Sequence, residues 1–325
     1  MHSKNIFSYI VVIVLILSGF NLQAQPIDPT PTFKTTHNSS YFRFYYDNDY
    51  FTKTDYYYTQ GITLEYVHPS LKKIPVSKIL VRPKGTNIQY GIAGNLFGYT
   101  PTSYESNSIL YGDRPFASCI TLKFFAIASD SVRKQRFSSA FSAGVIGPAA
   151  QGEEIQTGIH RWTNNTLPKG WQYQIKNDAI INYQFTYEKN LLDINNAFVL
   201  NTITEVNIGT LNDKFSDGIN LMTGHFNSPF KTSGKGNKKI EYYFYGQSRI
   251  NVTGYDASLQ GGLFNHSSPY TISAGDVSRF TFQADAGIVF NFRKLYLCYS
   301  QSYLSREFST GLYHRWGGIS FGFTL

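Results

Sequence analysis

The sequence predicts an all-β protein: a transmembrane antiparallel β-barrel of about twelve strands, with a short helix in a long extracellular loop. Three observations predict it. An export signal opens the chain. Alternating, strand-length segments then recur to the C-terminus, and none is an apolar run long enough to be a membrane helix. The composition is rich in Tyr (25), Phe (26) and Gly (27), with only 15% charged residues, which is unusual for a water-soluble exported domain.

The export signal is "MHSKNIFSYIVVIVLILSGFNLQAQ". Lys4 supplies the positive end, Tyr9 to Leu17 the apolar run, and Leu22-Gln23-Ala24 the small-residue cleavage site. Residues 1–24 therefore read as a signal peptide. Residues 25–39, containing "QPIDPTPTF", read as an extended lead-in. Residues 40–325 form the barrel domain.

Twelve segments alternate in polarity: 40–50, 57–68, 88–97, 115–127, 137–147, 178–190, 196–209, 215–226, 239–254, 276–291, 293–304 and 310–325. Membrane strands need about 9–11 residues, and outer-membrane barrels join them by short periplasmic turns and longer external loops. Here Leu191–Asn195 and Arg293-Lys294 are tight links, whereas 99–113, 148–177 and 255–275 are long and polar. The last strand, "HRWGGISFGFTL", sets Ile319, Phe321, Phe323 and Leu325 against Ser320, Gly322 and Thr324. Such a terminal strand resembles the signal read by the barrel assembly machinery, with Leu325 where a Phe is usual.

The net charge of +8 suits a surface of anionic outer-membrane lipid head groups, and an exported chain is not expected to bind nucleic acid. Cys119 and Cys298 lie far apart in strand-like runs and define no disulfide framework. Neither a G-x-S-x-G nucleophile elbow nor an H-E-x-x-H zinc motif occurs.

A periplasmic N-terminus sends the first strand outward to Asp47-Asn48-Asp49. Connection 69–87 is then periplasmic, and long for such a turn, while 98–114 and 148–177 are external. Two carboxylates and an amide at a strand end fit a turn. They also fit a hard cation such as calcium. Strand parity points Asn48 and Asp49 to opposite faces, so a bulge or turn must re-aim one of them. Within 148–177, Glu153 to Trp162 has a helical period. Ile155, Ile159 and Trp162 share one face, to meet the barrel wall or lipid, and Gln156 and His160 share another. His160 is thereby brought toward Asp49, and an imidazole can act as a general base. Trp162, Trp171 and the many Tyr residues suit a membrane–water boundary.

The blocks "DNDYFTKTDYYYTQGITLEY", "YGDRPFAS", "GVIGPAAQGEEIQTGIHRW" and "GWQYQI", in this order, resemble the lipid A 3′-O-deacylases of the outer membrane, the LpxR family. The likeness runs by motif from Tyr41 to Ile175, and by barrel periodicity to Leu325. It implies a twelve-stranded barrel with its active site between the wall and a loop helix. It also implies calcium-dependent hydrolysis of the ester that carries the 3′-acyloxyacyl group of lipid A. On this resemblance Asn48 and Asp49 match the family's Asn-Asp pair, Thr59 its strand-two threonine and His160 its histidine. His160, Thr59 and Asn48 are then the catalytic candidates, and Asp49 and Asn48 the Ca2+ ligands. Two departures stand out. The family pattern has a lysine in the second external loop, where "YTPTSYESNS" has none, and a glutamate six residues after the histidine, where this chain has Thr166. Glu153, Glu154 and Arg114 are the nearby groups that could substitute. The alternative function is an inactive barrel serving as a channel or structural protein.

Overall fold

A computed structural model of the chain describes residues 31–34, 40–52, 56–231 and 238–325. The expected signal peptide, and all of the lead-in except 31–34, lie outside the described residues. Twelve strands are present: β1 (Tyr41–Asn48), β2 (Tyr57–Val67), β3 (Asn87–Thr100), β4 (Ala117–Asp130), β5 (Gln135–Ile146), β6 (Asp178–Ile194), β7 (Phe198–Gly209), β8 (Asn212–His225), β9 (Ile240–Asp256), β10 (Phe280–Phe292), β11 (Leu295–Leu304) and β12 (His314–Thr324). Each pairs antiparallel with its chain neighbours, and β1 pairs with β12, Tyr41 facing Thr324, to close the barrel.

Alternation produces this closure. Along β9 the buried positions are Glu241, Tyr243, Tyr245, Gln247, Arg249, Asn251 and Thr253. Ile240, Tyr242, Phe244, Ile250 and Val252, between them, are exposed. Polar groups therefore face the lumen and apolar ones face outward, the inverse of a water-soluble barrel and the pattern of a lipid-embedded one. No helix among the described residues is long and apolar enough to cross a membrane.

Both termini of the barrel, Tyr41 and Thr324, lie at one end. The β4–β5, β6–β7 and β10–β11 turns are short and share that end. The β6–β7 turn falls at 195–197, three residues later than the sequence suggests, because β6 continues through a bulge between Asn190 and Leu192. Asn195 and Asn196 both have φ of 51°, which asparagine tolerates and a tight hairpin turn needs. The opposite rim carries the long connections 101–116, 147–177, 257–279 and 305–313.

The lumen is filled. Buried ion pairs join Arg43 to Glu65 (2.7 Å), Arg136 to Glu188 (3.2 Å), Arg249 to Glu205 (3.1 Å) and Arg114 to Glu307. At the terminus end, Phe33 is wholly buried and stacks on Tyr245 at 3.8 Å. Its backbone neighbours are pinned too: Thr32 N donates to Glu188 Oε1 (2.9 Å), and Tyr243 Oη donates to Phe33 O (2.6 Å). At the loop end, Tyr57, Leu259, Ile272, Val277 and Phe308 pack into a roof. Between floor and roof lies a cavity of about 160 Å³ lined by groups that include Asp47, Lys123, Glu205 and Lys214.

This plugged lumen is expected to pass no steady current in planar bilayers. Glu188→Ala removes the acceptor of Thr32 N and leaves Arg136 buried without its carboxylate, at a cost of about 3–5 kcal/mol. The variant should lose its heat-modifiable gel mobility at a lower temperature than the parent.

Candidate active site

The first connection at the long-loop rim is the short one between β1 and β2. Asn48 ends β1, and Asp49–Thr52 form a 3-10 turn in which Asp49 is only 1% exposed. Thr52 Oγ1 ties this turn to β12 by donating to Arg315 O (2.8 Å). Asp47 lines the lumen, so Asn48 points to the outer face of the wall. The Asn48 amide group is oriented by three contacts. Its Nδ2 donates to Thr59 O (2.6 Å) and Tyr46 Oη (3.2 Å), and its Oδ1 accepts from Tyr50 N (2.7 Å).

Thr59 reaches the same outer face through a register shift between Tyr58 and Gln60. A Cβ built on outward-facing Gly98 would stand 3.0 Å from Gln60 Cγ and 3.5 Å from Thr59 Cγ2, so both residues crowd that side. The irregularity beside Thr59 is one that the sequence does not foretell; at Asn48 and Asp49, where a bulge or turn is expected, β1 ends and a 3-10 turn begins.

The expected helix is present as α1 (Gly152–Trp162). Glu153 and Glu154 occupy its first turn and Arg161 its last, both favourable to the helix dipole. Its burial is inside out. Gly152, Gln156 and His160 are buried against the wall, Ile155 and Ile159 are half-buried, and Trp162 is 87% exposed. The apolar stripe therefore flanks the wall-facing groups rather than forming that face itself, with only Trp162 fully turned out. A side chain at Gly152 would collide with Ser118, its Cβ 2.4 Å from that of Ser118, so glycine is what lets the helix start this close to β4.

Gln156 joins the pieces. Its Nε2 donates to Thr59 Oγ1 (3.2 Å), and its Oε1 accepts from Trp171 Nε1 (2.7 Å). Trp171 is wholly buried beside Phe116 and Tyr104, a lock within the loop rather than a boundary aromatic. One helical turn beyond Gln156, His160 is 6% exposed, and its Nδ1 lies 2.5 Å from Thr166 O. A carbonyl can only accept, so Nδ1 carries the proton and Nε2 keeps its lone pair. The Tyr104 ring stands edge-on to the imidazole at 5.3 Å. Lys169 N donates to Tyr104 O (2.9 Å), which clamps connection 147–177 to connection 101–116.

The structure thus links Asn48, Thr59 and Gln156 by hydrogen bonds on the outer wall, with His160 one helical turn beyond Gln156 and Asp49 next in the chain to Asn48. Of the substitutes, Arg114 lies in the lumen against Glu307 and Ser258, away from the site, and Glu153 and Glu154 are exposed on α1. Tyr104, Trp171 and the Thr166 carbonyl are site groups that sequence reasoning does not find. The first two are ordinary aromatics in the sequence, and the third is main chain.

The donors fit a hard cation in type: a buried carboxylate, and an amide whose oxygen end is set by the bonds on its nitrogen. Among the described residues no three Asp, Glu, His or Cys side chains cluster as a metal cage. Asp49 and Asn48 are the side chains here that would hold such an ion.

The family model for Outer membrane protein LpxR matches residues 10–325. The chain belongs to the LpxR family. LpxR from Salmonella typhimurium has the same fold, with a TM-score of 0.70 at 18% identity over 88% of this chain and 100% of that one. The NanC porin aligns over 88% of this chain and all of its own at a TM-score of 0.39 and 7% identity. The β domain of the Bordetella autotransporter Brka covers 89% and 100%, at 0.43 and 8%. Comparison with curated proteins gives no match. LpxR membership supports an outer-membrane enzyme that modifies lipid A. In this LpxR chain the groups against the His160 ring are the Thr166 carbonyl and the Tyr104 ring.

Gly152→Ala should displace the start of α1 from Ser118 and lower activity by an order of magnitude or more, since a misplacement of about 1 Å can cost 10²-fold. Gly158→Ala on the same helix meets nothing within 4 Å, and should keep activity while adding up to about 1 kcal/mol of helix stability. Parallel lipid A mass profiles and thermal unfolding of the two variants check the contrast.

Proposed function

We propose that the protein is a lipid A 3′-O-deacylase: it hydrolyses the ester that links the 3′-acyloxyacyl chain to lipid A, using a His-activated water and calcium. The observation that carries this reading is the orientation of His160. Its Nδ1 is held by Thr166 O, which leaves Nε2 of the neutral ring to accept a proton, on the same helix face as Gln156, which bonds Thr59.

His160 Nε2 takes a proton from water as the water oxygen bonds to the ester carbonyl carbon. The tetrahedral centre collapses, the C–O bond to the sugar breaks, and the imidazolium returns its proton to the departing sugar oxygen. The products are a free acyloxyacyl acid and a 3′-hydroxyl on lipid A. Thr59 Oγ1 accepts from Gln156, which leaves its own proton to donate to water or ester. Asn48 fixes the entry to the Asp49 turn through its bonds to Thr59 O and Tyr50 N. Calcium held by Asp49 and Asn48 would supply charge stabilisation for the oxygen that becomes anionic.

Placement favours a lipid substrate. The site lies on the outside of the wall, under a helix that leaves Trp162 exposed and Ile155 and Ile159 half-exposed. A lipid in the outer leaflet could present its ester there without leaving the membrane. We place this rim on the extracellular side because it carries the long loops.

Expression in a heterologous Gram-negative host should remove one acyloxyacyl chain from lipid A, as read by mass spectrometry. His160→Ala should slow this by about 10²–10⁴-fold. Asp49→Ala and a calcium chelator should abolish it. Thr166→Ala leaves the carbonyl in place and should keep activity within about threefold, far from the effect of losing a general base. Unchanged lipid A with a folded barrel would reject the reading.

A further inference from the structure

The β2–β3 connection, residues 68–86, is at the terminus end and is long for its position. Its sequence, "HPSLKKIPVSKILVRPKGT", holds five cations and no acid. It forms two 3-10 turns, Pro69–Lys73 and Pro75–Ile79. These do not hang below the barrel; they fold back onto the outer wall. Leu80 is buried against Tyr90 and Ala126, with Leu71 and Ile88 alongside. Val81 N donates to Ser139 Oγ (2.8 Å), and Tyr183 Oη donates to Ile79 O (2.8 Å).

All four wall partners face outward. Asn95, Lys123, Ser142 and Gln184 line the lumen, so Tyr90, Ala126, Ser139 and Tyr183 have the opposite parity on β3, β4, β5 and β6. The segment is therefore a strap across four strands, on the face that a membrane covers. Its free side carries exposed Lys72, Lys73, Lys78, Arg82 and Lys84, together with Ile79 at 53% exposure. Among the described residues none of the five cations makes an ion pair. Cations in the neighbouring turn differ, for Arg133 pairs with Asp130 (3.3 Å) and Lys134 with Asp193 (2.9 Å).

We propose that this strap docks on anionic phospholipid headgroups of the periplasmic leaflet of the outer membrane. The proposal rests on the terminus end being periplasmic, and is independent of the ester chemistry. Unpaired cations beside an exposed isoleucine on a lipid-facing wall are the arrangement an interfacial surface uses. The apolar side chain enters the acyl boundary, and the Lys and Arg stems reach the headgroups. Each cation near an anionic surface shifts partitioning by about fivefold.

Reconstitution of the full mature chain into phosphatidylcholine vesicles, with spin-labelled phosphatidylglycerol or phosphatidylcholine as probes, gives their relative association with the barrel. The expected result is a preference for phosphatidylglycerol of about threefold or more, averaged over the lipids around the wall, that collapses at high salt. Replacing Lys72, Lys73, Lys78, Arg82 and Lys84 together by Gln should bring the ratio near one. Replacing Arg161, Lys169 and Lys176 by Gln, at the opposite rim, should leave it intact. Equal association of both probes with the parent, an unchanged preference in the strap variant, or loss of preference in the opposite-rim variant would each overturn the proposal. Heat-modifiable gel mobility reports whether each barrel is folded, and the Lys72→Gln, Lys73→Gln pair serves with the same criteria if the fivefold variant does not fold.

Discussion

The bridge from Trp171 through Gln156 to Thr59 is the contact on which the site depends. One side-chain amide, accepting from an indole and donating to a hydroxyl, fastens α1 to the outer wall. Everything else follows from that fastening. It places His160 one turn further along the same face. It brings the loop after α1 back under Tyr104, and so brings the Thr166 carbonyl to Nδ1. Because Thr59, Gln156 and Trp171 are all buried, the two bonds of the bridge are made away from water, where an unmet donor or acceptor is most costly.

The barrel itself was legible because a period of two survives any choice of which face is wet. All twelve strands were readable, with ends misplaced by a few residues, as at β6, where a bulge extends the strand past Asn190. The helix was legible by its period of 3.6, but its orientation was not. Amphipathicity names an apolar face without saying what lies beyond it. In a membrane wall the polar face turns inward, so Gly152, Gln156 and His160 are buried while Trp162 is exposed.

The site residues were legible one by one, and their assembly was not. Asn48, Thr59 and His160 could be picked out as candidate types, but alternation alone does not turn Thr59 outward; the register shift beside Tyr58 does. Trp171 reads in sequence as one more boundary aromatic. The group that orients His160 is a main-chain oxygen, and every residue has one, so no pattern of side chains could mark it. The glutamate expected at position 166 is absent, yet the imidazole still has a partner on Nδ1.

The floor of the barrel joins the front of the chain to its rear half. Phe33 precedes β1, yet the side chains that enclose it come from β7 to β11 and the stretch after β8. The stopper therefore has no pocket to fill until those later strands are present, so the N-terminal stretch is among the first parts to be made and among the last to be packed.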